Sequence, residues 1–236
     1  MGKNSFAFKE FTIHQELCAM KVTTDACLLG AWAASIMKDP KRILDIGAGT
    51  GLLSLMLSQA SKASIDAVEI EDQAYQQMKE NFEKSRFNKN INPIHTDIKK
   101  YLINEPYDLI ISNPPFHQEQ LLSKRKNINL ARHQEGLLLS DLLSISKSSL
   151  RAGGSFFMLM PFYREKECSK GVAQMGGFTK RIARVLHSSL HKPFRVMMEI
   201  VFENTHTIEE DIIIHQEDGK YTEAFKQLLK PYYLHL

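Results

Sequence analysis

Asn113-Pro114-Pro115-Phe116 follows directly on the apolar run Asp108-Leu109-Ile110-Ile111-Ser112. Two adjacent prolines cannot lie inside a central strand, because neither can donate a ladder hydrogen bond. The run has to stop there, at the carboxyl edge of a sheet. The prolines then hold the chain extended and stiff. What they hold is a fixed set: the Asn113 side chain and the Pro114 carbonyl as two hydrogen-bond acceptors, and the Phe116 ring as an aromatic plate. Such a set suits a planar group that carries an amino substituent.

A second segment is equally specific. Gly47-Ala48-Gly49-Thr50-Gly51 follows the strand-like Arg42-Ile43-Leu44-Asp45-Ile46 and opens a helical stretch. Glycines there let the backbone turn sharply and come close to a ligand, while the helix start offers unpaired N–H donors. A dinucleotide fingerprint is excluded, since Leu52 stands where its third glycine belongs. Glu69 ends the next strand, where an acidic side chain accepts hydrogen bonds from ribose hydroxyls. Asp97 ends the one after, with a plain helix cap as its competing role.

The elements that position these residues alternate. Strands are expected at 42–46, 64–70, 91–96, 107–112 and 155–160, with helices at 52–60, 72–86, 137–150 and 163–175. The glycine pairs Gly153-Gly154 and Gly176-Gly177 are read as the stops of the helices at 137–150 and 163–175. Such alternation implies a mostly parallel sheet with helices on both faces. Runs at 178–190 and 194–202, broken at Pro193, predict an antiparallel pair. A further run at 211–215 precedes a last helix at 221–229. Residues 6–34 read as a cap that is not a domain of its own, with a helix at 27–37. One domain is expected for the 236 residues.

Composition narrows the class. A 43% apolar and 24% charged content is that of a globular protein. No apolar run reaches the roughly 18 residues of a membrane span, and the first residues lack the apolar core of a secretion signal. Three cysteines (Cys18, Cys27, Cys168) without a C-x-x-C pair suit a reducing compartment. A cytoplasmic location is expected. The net charge of +3 permits an anionic partner without requiring one. His187 and His191 have the spacing of helical metal ligands, but their segment reads as strand and turn.

With Asp45 ahead of it, the G-x-G-x-G loop resembles that of class I S-adenosylmethionine-dependent methyltransferases. Asn113-Pro114-Pro115-Phe116 is similar to the N-P-P-[YF] motif of amino-methyltransferases, which act on adenine N6, guanine N2 or glutamine amide. Phe8 to Ile13, Cys18 to Asp25 and Leu28 to Ala33 resemble the N-terminal signature of the bacterial enzymes that N6-methylate adenosine 37 of valine tRNA. The resemblance covers most of the chain. It implies a Rossmann-like fold with a seven-stranded, mostly parallel sheet and an antiparallel C-terminal pair. It also implies S-adenosylmethionine as cofactor and tRNA, at its anticodon loop, as partner. Asp45, Gly47, Gly49, Gly51, Glu69, Asp97 and Asn113 would hold the cofactor, Asp97 at the adenine amino group. Lys21, Thr24 and Asp25 would fold over its methionine end. Asn113, Pro114 and Phe116 would carry catalysis.

Lys124-Arg125-Lys126 and Arg132-His133 come soon after the catalytic loop and are candidate phosphate contacts. Lys180-Arg181, Arg184, Lys192 and Arg195 form a second basic group on the late strand pair. Neither metal nor membrane is expected, and a monomer is favoured. Competing functions are the same chemistry on guanine N2 of rRNA or on a protein glutamine, and a non-catalytic RNA-binding protein on the same fold.

Overall fold

The computed structural model describes residues 4–115 and 137–236. A short hairpin, β1 (Ser5–Ala7) with β2 (Thr12–His14), leads into α1 (Thr24–Ile36). Then come β3 (Arg42–Ile46), α2 (Leu52–Ala60), β4 (Ser64–Glu69), α3 (Asp72–Glu83), β5 (Ile91–His95) and β6 (Tyr107–Ser112). After the undescribed stretch follow α4 (Leu139–Ser149), β7 (Leu150–Pro161), α5 (Glu165–Gln174), β8 (Phe178–Leu186), β9 (Arg195–Val201), β10 (Ile208–Ile213) and α6 (Glu223–Leu229).

The main sheet has the order β10-β8-β9-β7-β6-β3-β4-β5. Only β9 runs antiparallel to its neighbours, as the two late runs predict. Strand alternation builds a core on each face. Ile43, Leu109, Ile111, Phe157 and Leu159 face one way, onto α1, α2, α3 and α6. Leu44, Ile46, Ile110, Phe156 and Met158 face the other way, onto Leu142 and Leu143 of α4 and Cys168 and Val172 of α5.

The sheet has one strand more than the expected seven. Residues 208–213 add to β8 in parallel as β10, an edge strand whose Glu209, Glu210 and Asp211 are exposed. Acidic residues guard such an edge against further pairing. Glu209 also pairs with Arg184 at 2.7 Å, and Glu210 accepts from the Trp32 indole at 2.7 Å. A second difference concerns Gly153-Gly154, which do not end α4. The chain is already in β7 at Leu150, and the β6–β7 register shifts between Tyr107 and Leu109. A side chain on Gly154 would stand 3.0 Å from the Arg151 carbonyl oxygen and 3.1 Å from that of Asp108, so the irregularity itself requires a glycine.

The strand order reverses at β3, which lies between β4 and β6. Open α/β sheets bind ligands outside the carboxyl ends of the strands at such a switch point.

Candidate active site

Gly47, Gly49 and Gly51 all have positive φ, at 71°, 57° and 80°. That backbone is easy for glycine and strained for other residues. The Gly47 and Ala48 N–H groups donate to the Val68 carbonyl at 2.9 and 3.0 Å, which ties the loop to the end of β4. Gly51 caps α2 without any side-chain hydrogen bond. A side chain at Gly47 would meet nothing within 4 Å, so the loop leaves an open cradle.

Glu69 is buried at the wall of this cradle. Its Oε2 accepts from Gly49 N–H at 2.8 Å, and its Oε1 accepts from the N–H groups of Ile70 and Glu71, both at 2.9 Å. A carboxylate has about four acceptor sites, and three are used here. One remains for a ligand hydroxyl. Ile70, next in the chain, is 61% exposed, an apolar side chain at the crevice that the sequence reading passed over. One strand further on, Asp97 caps a short 3-10 helix, its Oδ1 accepting from Lys99 N–H at 2.9 Å. The cap role is therefore real, and a ligand contact would come in addition to it.

Asp45 lies beneath the loop with no exposure. Its Oδ2 accepts from the Ser54 hydroxyl at 2.7 Å and the Ser54 N–H at 3.1 Å, while its Oδ1 is buried without a partner. Burial pushes this carboxyl up to about 7, against the Ser54 hydrogen bonds, with nearby Glu69 adding to the rise. A cationic ligand group would relieve that penalty. The folded protein thus keeps a proton on Asp45 that the unfolded chain gives up near 3.8. Stability is fully present below that value and is lost as pH rises to about 7. Asp45→Asn should abolish this slope, read as urea midpoints across that range. An unchanged slope would mean that Asp45 is already ionised in the fold.

Asn113 is placed by its neighbour. Ser112 pairs with Ile46 across β6 and β3, and its buried hydroxyl donates to the Ile46 carbonyl at 2.8 Å. The next residue on each strand is Asn113 on one and Gly47 on the other. The acceptor pair of the proline loop therefore stands beside the glycine cradle. Asn113 is half-buried and Pro114 buried. Phe116, Lys124, Arg125, Lys126, Arg132 and His133 lie outside the described residues.

The N-terminal segment is strapped onto this crevice by α3. Asn81, fully buried, accepts from His14 N–H at 2.9 Å and donates to the carbonyls of His14 at 2.8 Å and Thr50 at 2.9 Å. Gln77, one turn earlier, accepts from Leu17 N–H at 3.1 Å. Further along this segment burial pushes the Cys18 thiol up to about 11, with the Glu69 carboxylate adding to the rise and Lys21 opposing it. Gln77 and Asn81 escaped the sequence reading; two amides four apart on a helix were the available signal.

The Lys21 ammonium donates to the Gln15 carbonyl. Thr24 is the first residue of α1. Asp25 Oδ2 accepts from Arg195 Nε at 2.7 Å. Asp25 is thus engaged with a structural partner at the start of β9. The late basic group is also largely neutralised. Glu199 holds Lys180 at 2.9 Å and Arg181 at 3.2 Å, and Glu165 holds Arg184 at 2.6 Å. Lys192 has no carboxylate partner among the described residues.

The fold and the crevice at its switch point define a class I methyltransferase, and residues 31–161 match the family model of the methyltransferase small domain. The solved structure of a predicted O-methyltransferase from Agrobacterium tumefaciens shares the fold, with a TM-score of 0.69 at 15% identity over 87% of this chain and 95% of that one. Sequence relatives are more specific. A Dyadobacter fermentans protein named tRNA1(Val) (adenine(37)-N6)-methyltransferase is 41% identical, covering 99% of both chains. One of the same name from Christiangramia forsetii is 37% identical over the whole of both. The chain belongs to the tRNA1(Val) (adenine(37)-N6)-methyltransferase family.

Proposed function

We propose that the protein transfers a methyl group from S-adenosylmethionine to the exocyclic N6 of an adenine in tRNA, at adenosine 37 in the anticodon loop of valine tRNA. The observation that carries this reading is the Ser112–Ile46 bond of 2.8 Å, which sets Asn113 next to the glycine cradle. The residues fit the cofactor. The loop Gly47 to Gly51 leaves room for it, Glu69 keeps an acceptor site for a ribose hydroxyl, and Asp45 Oδ1 is a buried oxygen without a partner. Bound there, S-adenosylmethionine supplies a methyl group activated by its sulfonium.

An exocyclic amino nitrogen is a poor nucleophile, because its lone pair is delocalised into the ring. Asn113 Oδ1 and the Pro114 carbonyl accept its two N–H groups, which favours a tetrahedral nitrogen and returns the lone pair. As the N–C bond forms and the methyl carbon–sulfur bond breaks, leaving a neutral thioether, the nitrogen becomes positive and one N–H proton passes to water. Preorganised acceptors stabilise that charge as an oxyanion hole stabilises the opposite one. Phe116 supplies a stacking face for the base in this reading, and Lys124, Arg125, Lys126, Arg132 and His133 supply phosphate contacts. An anticodon loop is already single-stranded, so presenting one base costs little. No described helix is long and apolar enough to cross a membrane.

The test is methylation of bulk tRNA from a strain that lacks the protein, followed by nucleoside mass spectrometry. N6-methyladenosine is the expected product. Methylguanosine without N6-methyladenosine would overturn the reading in favour of guanine N2.

A further inference from the structure

His187 and His191 lie at the end of β8, on the same sheet edge as Asn113, with no part in the chemistry above. His187 is exposed, and its ring lies flat on Phe194, with centroids 4.0 Å apart and planes 2° apart. His191 meets it edge-on at 6.1 Å and is fixed by Ser188 Oγ, 2.7 Å from its Nδ1. The row continues at the end of β10, where His215 N–H donates to the His187 carbonyl at 2.9 Å. His215 stacks on Tyr221, with centroids 5.1 Å apart, and Tyr221 in turn stacks on buried Phe225 at 4.6 Å, so His215 is the outer ring of this second stack. Lys192, exposed, lies in the same turn as His191.

Rings stacked for core stability alone are normally covered on both faces. Here Phe194 covers one face of His187, and the imidazole itself stays exposed. Single-stranded RNA is recognised by such plates, His among them, because every base has a face to stack. The position fits. From β6 to β8 is three strand spacings through β7 and β9, about 14 Å at the usual 4.7–4.9 Å each. A few nucleotides of single strand bridge that distance.

We infer that the His187–Phe194 and His215–Tyr221 ring pairs form a stacking platform for nucleotides that flank the methylated base. This rests on the tRNA reading above and extends it to a second contact region on the same edge.

The experiment compares wild type, His187→Ala, His187→Ala/His215→Ala and His187→Phe, with steady-state kinetics on tRNA. Anisotropy binding to a labelled anticodon stem-loop RNA runs in parallel. Losing a base stack should raise KM for tRNA, and Kd for the stem-loop, roughly tenfold per ring, about 1.4 kcal/mol. kcat and S-adenosylmethionine affinity should hold, and His187→Phe, which keeps a flat ring, should stay near wild type. Unchanged RNA affinity in the alanine variants would overturn the inference. So would a loss in His187→Phe equal to that in His187→Ala. The two readings fail separately: wild type inactive on tRNA sinks the proposed function, while the stem-loop measurement still decides the platform. His187→Ala alone keeps the test open should the double variant fold poorly.

Discussion

Asn113→Ala should lower kcat by about 10²–10³-fold, the range for removing one preorganised group from a charge-stabilising site, while S-adenosylmethionine still binds. The physical reason is that one of two acceptors for the amino group is gone, and the lone pair falls back into the ring. Backbone damage is not expected. β6 is anchored one residue earlier by the Ser112 hydroxyl on Ile46, and Asn113 itself is only half-buried. Asn113→Asp separates acceptor chemistry from packing. A carboxylate oxygen accepts from an amino group as an amide oxygen does, so the aspartate variant should retain far more turnover than the alanine variant. Single-turnover rates and calorimetric cofactor binding check both statements. A near-wild-type rate for Asn113→Ala would remove this residue from the chemistry. Equal loss in the two variants would show that an acceptor oxygen of the same shape is not enough and that the neutral amide with its NH2 group is required.

What could be read in the sequence follows from how local each rule is. The stop of β6 at Ser112 was legible because two prolines forbid a central strand whatever surrounds them. The cradle was legible because G-x-G-x-G between strand and helix has few other uses. β10 was not identified as an eighth strand. Its Glu209-Glu210-Asp211 lacks apolar alternation, and its pairing depends on the distant β8. The late basic residues could be grouped from the sequence but not matched to their acids, which are remote along the chain, Arg195 finding Asp25 170 positions away. The same holds for the strap. The Gln77/Asn81 spacing marks two amides on one helix face but does not name their partners, since the joint of His14 to Thr50 exists only after α3 has packed beside the glycine loop. His187 and His191 were rightly denied a helix, but the stacking of His187 on Phe194 depends on the β8–β9 turn.

Gly47→Ala and Gly51→Ala should fail in opposite ways, although both residues belong to one motif and both have positive φ. At Gly51 the new methyl group would overlap Cε1 of buried Phe82 and stand 2.7 Å from its Cζ. Phe82 belongs to the core beneath α3, so the ring cannot move cheaply. Left-handed strain plus overpacking should destabilise Gly51→Ala by about 2–5 kcal/mol, seen as a lower urea midpoint without ligand. At Gly47 a methyl group meets nothing within 4 Å, so only the strain of about 1–2 kcal/mol applies. That empty space is where the cofactor reading puts the ligand, so Gly47→Ala should chiefly raise the calorimetric Kd for S-adenosylmethionine. Unchanged cofactor affinity in Gly47→Ala would place the ligand elsewhere on the sheet edge. Wild-type stability in Gly51→Ala would show that α3 and its Phe82 yield more readily than a close-packed core should. The glycine pattern thus carries two requirements, room for a ligand at its first position and room for the protein's own core at its last.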